Sequence, residues 1–71
     1  MPKKQHVRKF LKHNGWVMYK NTDHEHYMKK LANGEILYTK LSHGKGEVPP
    51  TVWRKMLKQM NITEAEFYAG L

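Results

Sequence analysis

The segment Asp23-His24-Glu25-His26-Tyr27 carries the side chains of this chain that are best suited to acid/base chemistry. In an extended conformation, side chains alternate between two faces, so His24 and His26 share one face while Glu25 and Tyr27 share the other. Imidazole both accepts and donates a proton near neutral pH. The pattern therefore predicts a surface that carries an acid/base group.

The charge balance indicates the class of partner for such a surface. The chain has 13 Lys and Arg against 6 Asp and Glu, a formal net charge of +7. A strongly basic domain favours polyanions, namely RNA, DNA or an acidic protein, although a solvated basic surface without a partner has the same composition. The candidates for phosphate contacts are Lys29, Lys30, Lys40 and Lys45.

Length and composition predict one folded domain over residues 1–71 with a small core. Hydrophobic residues make up 39% of the chain, which argues against disorder. The chain has no Cys. This favours a reducing cytoplasm and an ordinary hydrophobic core over a disulfide or zinc scaffold. No apolar run approaches the length of a signal peptide or a membrane span, so we expect an intracellular protein without a membrane partner.

Periodicity and turn signals predict an α+β domain of order α-β-β-β-α with a three-stranded antiparallel sheet. The helices are predicted over residues 3–14 and Pro50–Met60, and a short helix over Glu64–Ala69 follows a capping-box spacing. The strands are predicted over residues 16–20, 24–31 and 35–41, with Asn33-Gly34 at the second hairpin because both residues tolerate positive φ. The helices then cover the face of Tyr27 and Leu31 and leave His24 and His26 on the open face.

Four segments in this order resemble the HicA family of bacterial toxins over nearly the whole chain. They are residues 12–17 (KHNGWV), residues 24–27 (HEHY), residues 43–50 (HGKGEVPP) and residues 57–63 (LKQMNIT). The resemblance implies a fold like the double-stranded RNA-binding domain and a metal-independent endoribonuclease that cleaves mRNA without a cofactor. It also implies a HicB-type antitoxin that covers the toxin and blocks its active site.

The resemblance assigns the catalytic role to His24. In the family, a Gly-Ser-His pattern opens the second strand, and an aromatic residue follows the His after three residues. His24 has this spacing to Tyr27, while Thr22-Asp23 stand where the family commonly has Gly-Ser. Regular alternation would point Asp23 to the face opposite His24, so Asp23 is not expected to orient the imidazole.

The same residues are compatible with other interpretations. The domain can be an RNA-binding module without catalysis, or its basic face can meet only a protein partner. His24 and His26 can contribute to a metal site, but no third ligand is evident nearby. Strand His26 is more often solvated, and His43 can bind phosphate or simply fill a loop. Trp53 and Tyr38 can stack on bases, but core positions are expected for aromatic residues in so small a domain.

Overall fold

The computed structural model describes residues 1–71 and shows an α+β domain with a three-stranded antiparallel sheet and helices at both ends. Its elements are α1 (Lys4–His13), β1 (Val17–Asn21), β2 (His24–Lys30), β3 (Ile36–Ser42), α2 (Pro50–Met60) and α3 (Glu64–Ala69). The predicted order is confirmed, and α2 and α3 have the predicted bounds. None of the three helices is long and apolar enough to cross a membrane.

The central strand β2 pairs with both neighbours and sets the two faces of the sheet. Glu25 lies opposite Leu41 and Tyr27 lies opposite Thr39, and all four side chains are buried. His24 and His26 point to the other side and are half-buried. The predicted alternation of β2 is confirmed.

The hairpin between β2 and β3 forms at the predicted Asn33-Gly34 pair with one difference in backbone geometry. Only Gly34 has a positive φ, of 91°. The Gly34 N–H donates to the carbonyl of Leu31, and the Asn33 side chain accepts a hydrogen bond from the Glu35 N–H. Asn33 thus acts through its side chain rather than through a left-handed backbone.

The helices pack on the face of the sheet that carries Glu25 and Tyr27. An Arg8 hydrogen bond joins α1 to Glu25, and a 2.8 Å hydrogen bond joins Thr39 to Gln59 of α2. The apolar stripes of both helices supply most of the core, as their spacing predicts. The core consists of Val7, Phe10, Leu11, Trp16, Tyr27, Leu41, Val48, Trp53, Met56, Met60 and Phe67. Leu31, predicted to pack in this layer, lies just past β2 and is only half-buried.

The opposite side of the sheet, which we call the open face, has no covering element. The strand register places these side chains on it: Val17, Lys20, His24, His26, Met28, Lys30, Ile36, Tyr38 and Lys40, with Tyr19 joining them through its ring contacts. Trp53 takes its expected core position at 1% exposure. Tyr38 is 52% exposed, so the core position expected for it is wrong.

Phe67 connects all three helices and generates a stability prediction. Its ring is fully buried, 5.0 Å from Phe10 of α1 and 4.7 Å from Trp53 of α2 between centroids. We expect Phe67→Ala to lower the free energy of unfolding by about 3 kcal/mol or more, because it leaves a cavity between the helices. Urea denaturation followed by circular dichroism measures the loss.

Two further variants make this test specific. Phe67→Leu should cost less than Phe67→Ala because it keeps most of the buried volume. Tyr68→Ala should cost less than about 1 kcal/mol, since Tyr68 is 50% exposed on the same helix. Equal losses for Phe67→Ala and Tyr68→Ala would contradict a core role for Phe67.

Candidate active site

His24 is the first residue of β2 and lies where the turn after β1 meets the open face. Its side chain is 35% exposed. Its Nδ1 lies 3.5 Å from Oδ2 of Asp23, and its Nε2 makes no hydrogen bond within the protein. The expectation that Asp23 points away from the imidazole is wrong, because Asp23 precedes the strand and the alternation of a strand does not apply to a turn.

Asp23 places a negative charge beside one ring nitrogen of His24. Thr22 Oγ1 donates a 3.0 Å hydrogen bond to Oδ1 of Asp23. This hydrogen bond, together with one to the backbone and the neighbouring His24, lowers the pKa of Asp23 below its usual value. At 3.5 Å the contact with His24 is too long for a good hydrogen bond, but it places the negative carboxylate beside one ring nitrogen. It favours the proton on Nδ1 and leaves Nε2 able to accept one.

A cleft of about 240 Å³ lies between β3 and α2, and His24 stands at its wall. Its lining residues are His24, Lys40, Leu41, Ser42, Val48, Pro49, Val52, Lys55, Met56 and Gln59. The four from α2, at 52, 55, 56 and 59, have the i, i+3, i+4, i+7 spacing of one helix face. The cleft thus combines one imidazole with the two lysines Lys40 and Lys55.

The start of α2 adds a positive potential to the same cleft. Pro49 occupies the cap position without a side-chain cap, and the first turn contains no acidic residue. The free N–H groups of a helix start carry a partial positive charge. Pro49 and Val52 line the cleft, so this charge acts on the space that also faces His24.

A partly buried ionic cluster supports the site from the helix side of the sheet. The Arg8 guanidinium contacts both carboxylate oxygens of Glu25 through Nε and Nη2 at 3.0–3.2 Å. The Tyr27 hydroxyl donates a 2.7 Å hydrogen bond to Oε1 of Glu25. Arg8 Nη2 also donates to the carbonyl of Gly44 at 3.0 Å, so one side chain joins α1, β2 and the loop after β3.

His43 links this cluster to the turn that holds Asp23. Its Nε2 lies 2.9 Å from the Thr22 carbonyl, and its Nδ1 lies 3.5 Å from Oε2 of Glu25. Lys4 Nζ donates to the His43 carbonyl at 3.0 Å. The sequence suggests phosphate binding or filling a loop for His43, and the structure adds a positioning role to these two. Both ring nitrogens make contacts within the protein, and these contacts fix the backbone next to His24.

The pKa values in the cluster follow from these contacts. Burial alone would raise the pKa of Glu25, but the hydrogen bonds from Arg8 and Tyr27 and the positive charge of Arg8 outweigh it and lower the pKa. Burial, and then the hydrogen bond to Glu25, raise the pKa of Tyr27 well above its usual value. At neutral pH the cluster therefore contains a charged carboxylate and a neutral phenol.

The four lysines predicted to contact phosphate lie in different places. Lys40 lies in the His24 cleft. Lys45 lies in the loop after β3, where it lines a separate groove with Lys3. The Lys29 Cε lies 3.7 Å from the position of a Cβ at Gly15, on the helix side of the sheet. Lys30 shares the open face with His24 but ends β2, at the opposite end of the strand.

Sequence reasoning missed Lys55, Gln59 and the contact of Asp23 with His24. The helical spacing places residues 55 and 59 on one face of α2, but no sequence signal shows that this face turns toward the end of β2. No group of three or more His, Cys, Asp or Glu side chains is arranged to hold a metal ion.

Comparisons with known proteins add no identification. No protein-family model, curated protein or solved structure matches this chain.

The ionic cluster generates a prediction for stability and its pH dependence. Glu25→Gln should lower the free energy of unfolding at pH 7 by about 2–3 kcal/mol, because it leaves Arg8 partly buried without its counter-charge. The folded-state pKa of Glu25 is lowered, so its contribution is present above about pH 4.3, the usual value for Glu. The contribution is lost as the pH falls through the folded-state pKa.

Urea denaturation at pH 7 and pH 3 tests both parts of this prediction. The difference between the variant and the wild type should shrink at pH 3. Glu35→Gln is the matched control, since Glu35 is exposed in the hairpin, and it should change stability by less than about 0.5 kcal/mol. The same deficit for Glu25→Gln at both pH values would contradict an ionic role.

Proposed function

We propose that the protein is a metal-independent endoribonuclease that cleaves mRNA, and that it acts as the toxin of a type II toxin-antitoxin system. One observation carries the chemical part. His24 has an anion at Nδ1 and a free Nε2, and it lines a cleft with the cations Lys40 and Lys55. The toxin role and the antitoxin partner rest on the resemblance to the HicA family.

The reaction uses the 2′-hydroxyl of the RNA as its nucleophile. His24 Nε2 accepts the proton of this hydroxyl as the 2′-oxygen attacks the adjacent phosphorus. Lys40, Lys55 and the start of α2 stabilise the negative charge that develops on the phosphate oxygens. The bond from phosphorus to the 5′-oxygen then breaks. Because no second imidazole or carboxylate lines the cleft, the 5′-oxygen takes a proton from water, and protonated His24 gives its proton to the hydroxide that remains. The products are a 2′,3′-cyclic phosphate and a free 5′-hydroxyl.

The α+β architecture is a further support for the proposal. The α1-β1-β2-β3-α2 order, with both helices on one face of an antiparallel sheet, supports a relation to the double-stranded RNA-binding domain. A formal net charge of +7 suits both RNA and an acidic HicB-type antitoxin, because complementary charge speeds association.

A non-catalytic RNA-binding module of the same fold is the second candidate. One observation favours it, namely that His24 is the only imidazole among the ten residues that line the cleft and that none of the ten is a carboxylate. A module of this kind needs the lysines and no proton transfer.

The decisive experiment incubates a defined RNA in EDTA with the wild type and with His24→Ala. We expect cleavage by the wild type and a rate about 10²- to 10⁴-fold lower for the variant, because a positioned acid/base group contributes this much. Denaturing gels follow the products. His6→Ala is the control, since His6 is exposed on α1 away from the cleft, and it should cleave like the wild type.

The other outcomes have distinct meanings. RNA binding without cleavage by any of the proteins would support the binding module. Equal cleavage by the wild type and His24→Ala would contradict the role of His24. Expression in bacterial cells tests the toxin role, since the wild type should arrest growth and deplete mRNA while His24→Ala should not.

Asp23 should have a smaller effect than His24. Asp23→Asn removes the charge beside Nδ1, but the carboxylate is 83% exposed, so we expect the cleavage rate to fall by no more than about fivefold. RNA affinity should stay unchanged, which fluorescence anisotropy can measure. A loss as large as that of His24→Ala would show that Asp23 takes part in the proton transfer itself.

A further inference from the structure

We propose that the open face binds single-stranded RNA, with unpaired bases stacked on Tyr19 and Tyr38 and phosphates held by Lys20 and Lys40. This inference deepens the proposed function by naming its substrate class. Only one part of it rests on the proposed nuclease function, namely that the bound RNA reaches His24.

The first support is a continuous row of rings across the open face. Tyr38 and Tyr19 lie 6.0 Å apart between centroids, at an interplanar angle of 74°. Tyr19 lies 6.1 Å from His26, and His26 lies 6.4 Å from His24. The row thus joins Tyr38 on the edge strand β3 to Tyr19 on the other edge strand β1, and Tyr19 to His26 and His24 on the central strand β2.

The second support is the exposure of these rings. Tyr19 and Tyr38 are 49% and 52% exposed, while the core aromatic residues Phe10, Trp16, Tyr27, Trp53 and Phe67 are all buried. Tyr68 is also half exposed, but it lies on α3 and not on the sheet. Val17 and Ile36 extend the exposed apolar surface on the open face. Because Tyr19 and Tyr38 contact each other, these exposed rings form a patch rather than scattered residues, and such patches mark binding surfaces.

The third support is the charge around the rings. Lys20, Lys30 and Lys40 lie on the open face. Of the six acidic residues, Asp23 lies at the end of the open face that carries His24, and Glu25 faces the helices. The other four lie outside the strands. Rings surrounded by cations without intervening carboxylates fit a polyanion with stacking bases.

A bulge in β1 brings two of these side chains to one face. Val17 pairs with Met28 and Met18 pairs with Tyr27, but the register then shifts, so that Lys20 pairs with His26. Tyr19 is the extra residue. Regular alternation would place Lys20 with the helices, whereas the bulge leaves both Tyr19 and Lys20 on the open face.

The open face is continuous with the His24 cleft. A small cavity of about 120 Å³ is lined by Tyr19, His26, Tyr38, Thr39, Lys40 and Gln59. Lys40 and Gln59 also line the larger cleft. A single-stranded RNA whose bases stack on Tyr38 and Tyr19 can therefore place one of its next phosphates beside Lys40 and His24.

Geometry favours single-stranded over double-stranded RNA as the occupant. Stacking on a protein ring requires a base whose face is free, and the bases of a duplex already stack on each other. Aromatic side chains on an exposed sheet are a common way to bind unpaired bases.

The test measures binding of a short single-stranded 2′-O-methyl RNA, which cannot be cleaved through its 2′-oxygen, by fluorescence anisotropy. For Tyr38→Ala and for Tyr19→Ala we expect Kd to rise about 5- to 150-fold, the range for loss of one stacked base. Tyr38→Phe keeps the ring and should bind like the wild type. Tyr68→Ala is the matched control, because Tyr68 is also half exposed but lies on α3.

A direct contact is tested by cross-linking the wild type to the same oligonucleotide carrying 4-thiouridine, with mass spectrometry of the adduct. The proposal expects the adduct on Tyr19, Tyr38 or an adjacent residue of β1 or β3. Equal Kd values for all variants, adducts confined to the helices, or a duplex bound more tightly than the single strand would overturn the proposal. Equal Kd values would instead favour a protein partner as the occupant of the open face.

These experiments can refute the binding proposal and the nuclease proposal independently of each other. Tyrosine-dependent binding without any cleavage would refute the nuclease and keep the binding face. Cleavage that needs His24 but not the tyrosines would keep the nuclease and refute the binding face.

Discussion

The buried carboxylate of Glu25 is the interaction on which the rest of the structure depends. It lies between Arg8 of α1, the hydroxyl of Tyr27 and the ring of His43. A buried charge with one partner removed is costly, so these groups are held together. Arg8 and His43 in turn contact the backbone at Gly44 and Thr22. One carboxylate thereby fixes a helix, the central strand and the loops on both sides of His24.

The Glu25 carboxylate also determines which side chains lie on the open face of the sheet. Because Glu25 and Tyr27 must face the helices to keep their hydrogen bonds, His24 and His26 must face outward. A slip of one residue in the register would bury both imidazoles and expose the carboxylate, so the ionic cluster specifies the register more strongly than apolar contacts alone. The stability of the domain and the exposure of its candidate acid/base group thus have the same cause.

The sequence predicts regular elements well and predicts their irregular junctions poorly. The apolar spacing of Trp53, Met56 and Met60 is enough to place α2, and alternation is enough to assign the faces of β2. Strand alternation predicts the wrong side for Asp23, because this residue lies in a turn, where the local backbone conformation sets the direction of the side chain. The bulge at Tyr19 is also not predictable from the sequence of β1 alone. It depends on how β1 pairs with β2, which is a property of two segments together. The position of Lys55 near His24 could not be predicted for a third reason, because it depends on how α2 packs against β3.

These irregular junctions are also where the candidate chemistry lies. The turn before β2 places an anion at His24, and the bulge in β1 places a ring and a lysine on the open face. Neither feature adds to the hydrophobic core, since Asp23, Tyr19 and Lys20 are all exposed. A bulge disrupts the ladder of a strand in a domain that is too small to spare many contacts. Stability therefore does not account for the exposed side chains at these junctions, whereas the proposed binding of RNA along the open face toward His24 would account for both.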